Sequence, residues 1–117
     1  MDNRRLRRFV REELAEAGRL EREGRVNDAF ARLERAHILS QYSTRDHVAV
    51  HVAMLCWAWR QGSGREMFGQ VVRIIGAATK TAVGWIPEGN TGGAEVSPFR
   101  PMPVPDDLAA IIARSRD

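Results

Sequence analysis

The three histidines of this chain, His37, His47 and His51, fall within fifteen residues. His37 stands five residues before Tyr42 and His47 five after it, and Gln41-Tyr42-Ser43 reads as a tight turn between two helices. In an antiparallel helical hairpin, positions equidistant from the turn come level with each other. His51 lies one turn beyond His47, and Glu34 one turn before His37; residues three or four apart share a helix face. The spacing therefore predicts that Glu34, His37, His47 and His51 converge on one point. Imidazoles and a carboxylate held by two rigid helices are the donor set of a transition-metal site, suited alike to Zn, Ni, Cu or Fe. Met54, one turn beyond His51, would favour the softer Cu(I), and Asp46 is placed to support the set. The competing reading is purely structural: His37 continues the apolar stripe Val26–Phe30–Leu33, and a histidine there can serve packing by donating to a backbone carbonyl.

Helices must position these groups. Residues 3–23 repeat apolar side chains at Leu6, Phe9, Val10, Leu14, Ala17 and Leu20, the period of an amphipathic helix, and Gly24 is placed to end it. A second helix is predicted over 26–41, with Val26, Ala29, Phe30, Leu33 and Ala36 inward. The third starts near Ser43, where Ser43-Thr44-Arg45-Asp46 has the form of a capping box, and runs through Trp57–Arg60 to Gly62. On it Val48, Val52, Leu55 and Trp59 lie in line and are expected in the core. Trp57 falls off that line, free to receive a later segment, and Cys56 is expected to be buried and inert. Ser63-Gly64-Arg65-Glu66 is a second capping box, opening a fourth helix over about 64–79 with Met67, Phe68, Val71, Val72, Ile74 and Ile75.

Composition then changes. Residues 80–105 hold all five prolines and four glycines. Pro101-Met102-Pro103-Val104-Pro105 is expected to be extended, and Gly89-Asn90-Thr91-Gly92-Gly93 is a turn cluster. Trp85, Ile86, Val96, Phe99, Met102 and Val104 punctuate the segment, so it is expected to run across the bundle as an ordered strap. A short helix over 106–115 follows, opened by Asp106 and Asp107. The expected fold is all-α, a single domain over 1–117: a helical bundle over 3–79 of four antiparallel helices, tetratricopeptide-like at its start, an extended strap over 80–105, and the short helix 106–115.

Composition narrows the function classes. The net charge is +3, and every basic residue but Lys80 is arginine. Arg4, Arg5, Arg7, Arg8 and Arg11 form the densest positive patch, but no helix-turn-helix or interleaved aromatics accompany it, so no specific nucleic-acid binding is expected. A lone cysteine permits no intrachain disulfide, no apolar stretch is long enough to span a bilayer, and no secretory signal is visible. A cytoplasmic protein is expected. Glu34-x-x-His37 has the i, i+3 form of di-iron carboxylate bundles, but such a site needs two pairs and two more glutamates. The glycine cluster is not followed by Lys-Ser or Lys-Thr and opens no helix, so it is not a phosphate loop.

Leu33-Glu34-Arg35-Ala36-His37-Ile38-Leu39-Ser40-Gln41, then His47 and His51, then Gly89–Gly93 and Ser97-Pro98-Phe99-Arg100-Pro101-Met102-Pro103 resemble a family of small bacterial proteins catalogued as domain-of-unknown-function family 3703. The resemblance covers about residues 5–110. It carries no established activity, but it implies an association with heavy-metal handling genes. It also implies that the histidine hairpin and the glycine–proline strap are neighbours, with Asn90 or Thr91 as a lid near the histidines. The leading expectation is thus a non-enzymatic transition-metal-binding protein whose partner is the metal ion, accessory to metal handling. The alternative is a protein-interaction module on a tetratricopeptide-like hairpin, without metal; a small enzyme with a histidine pocket is the third reading.

Overall fold

The computed structural model describes residues 3–82 and 101–115, with side chains over 4–76 and 101–115. The described residues form five helices and no strand: α1 (Asn3–Arg22), α2 (Val26–Ser40), α3 (Thr44–Gln61), α4 (Gly64–Ala82) and α5 (Asp106–Arg114). The breaks fall where the local chemistry demands them. Gly24 and Gly62 take φ of +81° and +69°, the left-handed conformation that ends a helix cheaply only at glycine. Ser43 caps α3 by accepting from the Asp46 amide at 3.5 Å, and Ser63 accepts from Glu66 at 3.3 Å. The strap expected over 80–105 lies largely outside the described residues. Of it, 101–105 is non-helical, and Val104 packs on the core.

The helices pack in series, α1 on α2, α2 on α3 and α3 on α4, with α5 laid on α2. The core takes Leu6, Val10 and Ala17 from α1, Leu33, Ala36, Ile38 and Leu39 from α2, Val50 and Met54 from α3, and Leu108 and Ile112 from α5. Ala29, Ala36 and Ala58 are wholly buried, as small residues at helix crossings are. Ion pairs tie the helices from outside: Glu13 of α1 to Arg32 and Arg35 of α2, Arg35 to Asp107 of α5, and Glu21 of α1 to Arg60 of α3.

Two sequence expectations fail on α3. The row expected in the core is not the buried one: Trp59 is 72% exposed and Val52 43%. The buried face carries Asp46, His47, Val50, His51, Met54 and Ala58, turned about 130° around the helix from the expected row. The helix is apolar almost all round, so periodicity alone could not choose its inner face. The choice falls to the face where Ala58 permits close approach and the histidines find partners. Cys56, on the opposite side, is exposed rather than buried. Trp57 is half-buried, with its ring 4.5 Å from Phe30 and its Nε1 donating to the Val26 carbonyl at 3.0 Å.

On α4 the pattern is inverted. Its fully buried residue is polar Gln70, while Phe68, Val71, Val72 and Ile75 face outward. No helix of the described residues is long and apolar enough to cross a membrane.

Candidate metal centre

His37 sits on the last turn of α2, where Ser40 donates its hydroxyl to the His37 carbonyl at 2.9 Å. The chain turns through Gln41-Tyr42-Ser43, and the Ser43 amide closes the turn on the Ser40 carbonyl at 3.1 Å. His47 follows one turn into α3 and His51 one turn later. The expected convergence of the three histidines is observed. The Nε2 atoms of His37 and His47 are 2.9 Å apart, those of His37 and His51 3.1 Å, and those of His47 and His51 3.2 Å. The ring centroids stand 4.7–4.9 Å apart, tilted by 43–70°. The rings are 3%, 2% and 1% exposed, so the triangle is cut off from solvent.

Protons alone cannot satisfy this triangle. Each Nε2 carries either a hydrogen or a lone pair. With three atoms and two states, at least one of the three contacts must set hydrogen on hydrogen or lone pair on lone pair. Such a contact is costly where no water competes.

A hydrogen-bonded chain from α4 sets the state of one ring. Gln70, wholly buried, donates its amide Nε2 to Glu66 Oε2 at 2.9 Å. That donation fixes the amide orientation, so Gln70 presents its oxygen to His51, whose Nδ1 lies 2.6 Å from Oε1. Nδ1 must then be the donor, and in the neutral ring the Nε2 of His51 carries a lone pair directed at the other two histidines. An imidazole held this way is the form in which histidine ligates metals. Glu66 also lies in the field of Arg73, whose guanidinium is held below its ordinary range by burial, with Glu66 partly opposing that shift.

The other predicted site residues are placed less directly. The group of mutually close ligand atoms among the described residues is His37, His47 and His51. Glu34, half-buried one turn before His37 on α2, is outside that group. Asp46 is buried, but Arg7 of α1 takes its carboxylate, with Nε at 3.1 and 3.3 Å from the two oxygens. A carboxylate so held braces α3 against α1 rather than supporting an imidazole. Asn90 and Thr91, the expected lid, lie outside the described residues. Gln70 and Glu66 were not anticipated. Their only trace in the sequence is a pair of polar residues at i, i+4 on the same face of a predicted helix.

The basic patch has local partners. Arg4, Arg7, Arg8 and Arg11 line a shallow groove with Glu12 and Ala15. Arg5 donates to the Arg114 carbonyl at the end of α5 at 2.8 Å, and Arg8 lies 4.9 Å over the Phe9 ring.

No curated protein and no solved structure matches the chain. One family model does, over residues 4–112, nearly the whole length and including the histidine hairpin and the helix that supports it. The chain therefore belongs to the family described as "Protein of unknown function (DUF3703)".

Proposed function

We propose that this protein binds one transition-metal ion through the Nε2 atoms of His37, His47 and His51, and does so as a non-enzymatic sequestration or sensing protein. The observation that carries the reading is the buried triangle of imidazole nitrogens at 2.9–3.2 Å, which no arrangement of protons satisfies. A cation accepts three lone pairs at once.

The dimensions suit a metal. Donors about 2.0–2.1 Å from a common ion stand roughly 3.3 Å apart in a tetrahedral site and about 2.9 Å apart at right angles. The observed separations lie between these, and short of the roughly 3.5 Å of a flat three-coordinate site. Three neutral imidazoles favour Zn, Ni, Cu(II) or Fe(II) over hard oxygen-seeking cations. Glu34, one turn before His37, is the carboxylate to test as a fourth donor. Burial of all three rings favours holding an ion over turning substrate over.

The test is metal analysis of protein purified without chelators or affinity metals, followed by titration with Zn, Ni and Cu. One ion per chain, lost in His47→Ala/His51→Ala, is the expected result. Protein that arrives metal-free and takes up none of the three ions overturns the proposal and leaves the interaction-module reading standing. Glu34→Gln separates three donors from four: unchanged affinity assigns the site to the histidines alone.

A further inference from the structure

We infer that the outer face of α4 is a homodimer interface, with α4 packed antiparallel on α4 of a second copy of this chain. Phe68 is 73% exposed, Val71 45%, Val72 52% and Ile75 70%. These positions recur at i, i+3, i+4 and i+7, the seam along which two helices pack. The stripe is centred about 150° around the helix from Gln70, the residue that joins α4 to the histidines. α4 thus has two faces with separate uses: a polar one turned inward and an apolar one left at the surface. Among the described residues the helix on which α4 packs extensively is α3, and the side chains of the stripe stand exposed on the other side of α4.

The occupant that fits is a second copy. A twofold axis between Val71 and Val72 maps the stripe onto itself: Phe68 meets Ile75 of the partner subunit, and Val71 meets Val72 of the partner subunit. This is the self-complementarity that an isologous contact requires. On the helical wheel Arg65 lies about 70° and Arg73 about 150° from the centre of the stripe, so neither charge falls on the seam. The area also suits. The four side chains expose roughly 450 Å² of apolar surface, and one side of a standard interface buries about 800 Å², of which about 56–65% is apolar. A contiguous apolar patch of several hundred Å² on a small protein marks an interaction site.

The inference does not depend on metal binding, and the experiment keeps the two apart. The full chain is examined by sedimentation velocity between about 1 and 100 µM, beside Phe68→Asp and Ile75→Asp, with circular dichroism and metal content measured on each. The expected result is a species of twice the 13.2 kDa chain mass. Each aspartate variant should shift to the monomer, with helicity and metal content unchanged. A wild-type chain that stays monomeric at 100 µM overturns the inference, whether another part of the chain or a different protein covers the stripe. If the aspartate variants unfold, Val71→Cys in a Cys56→Ser background decides. Mild oxidation should crosslink it to a covalent dimer, while Arg11→Cys in the same background should not. Equal crosslinking of the two also overturns the inference.

Discussion

Gln70 of α4 and His51 of α3 are joined by a 2.6 Å hydrogen bond in which the imidazole Nδ1–H donates to the amide oxygen. Both residues are at most 1% exposed, so no solvent replaces that acceptor if it is removed. Gln70→Ala is expected to lower metal affinity about 10- to 100-fold and the stability of the metal-free protein by about 1–3 kcal/mol. Glu66→Gln keeps a partner for the Gln70 amide and should change affinity far less. Competition against a chromophoric chelator, with urea unfolding of the metal-free proteins, checks both. Equal affinity in Gln70→Ala and the wild type would show that the bond does not tune the site.

Replacing one histidine by an apolar residue of similar size should separate stability from binding. In His47→Leu the two remaining imidazoles can pair as one donor and one acceptor, so the unavoidable like-on-like contact disappears. The metal-free variant is expected to match the wild type within about 1 kcal/mol, or to exceed it. Its response to metal should vanish. In the wild type, free metal at 100-fold above Kd should add about 2.7 kcal/mol, a rise in Tm of about 10 °C for a chain of this size. Differential scanning calorimetry with and without Zn, Ni or Cu reads both effects.

The two tryptophans of α3 should behave oppositely. Trp57 packs on Phe30 and donates to the Val26 carbonyl, whereas Trp59 is 72% exposed. Trp57→Ala is expected to cost about 2–4 kcal/mol, and Trp59→Ala no more than about 0.5 kcal/mol. Urea midpoints of the two variants would show the reverse order if Val48–Val52–Leu55–Trp59 were the true inner face.

Acid should weaken the ties between helices. The Arg60 guanidinium hydrogen-bonded to Glu21 holds that carboxyl below its usual range, against the opposing effect of burial. Arg35 does the same to Asp107. A carboxyl depressed in the folded state contributes stability that is complete above its unfolded pKa, near 4. That contribution is lost as pH falls through the lower folded value. Both pairs are at the surface, so each effect is small. Glu21→Gln/Asp107→Asn is expected to lose less stability than the wild type between pH 5 and pH 3, measured by urea unfolding, with little difference in slope above pH 5.

Most of the helical frame was legible in the chain because its signals are local. Gly24 and Gly62 mark helix ends by backbone conformation, Ser43 and Ser63 mark starts by side-chain capping, and the apolar period of α1 and α2 points each to its inner face. The histidine triangle was legible for a related reason: a short turn makes register arithmetic, so positions five residues either side of Tyr42 had to come level. What lay beyond the sequence was every choice made by distant packing. On α3, apolar residues surround the helix too evenly for periodicity to select a face, and on α4 the apolar stripe is clear but lies outward, so only docking could decide that Trp59 turns outward and Gln70 inward. Asp46 went to Arg7, thirty-nine residues away, because a buried carboxylate takes the nearest strong cation, and the sequence does not say which cation the fold will bring. The support of His51 by Gln70 and Glu66 arises in the same way, from a helix whose rotation is set by tertiary contact rather than by its own composition.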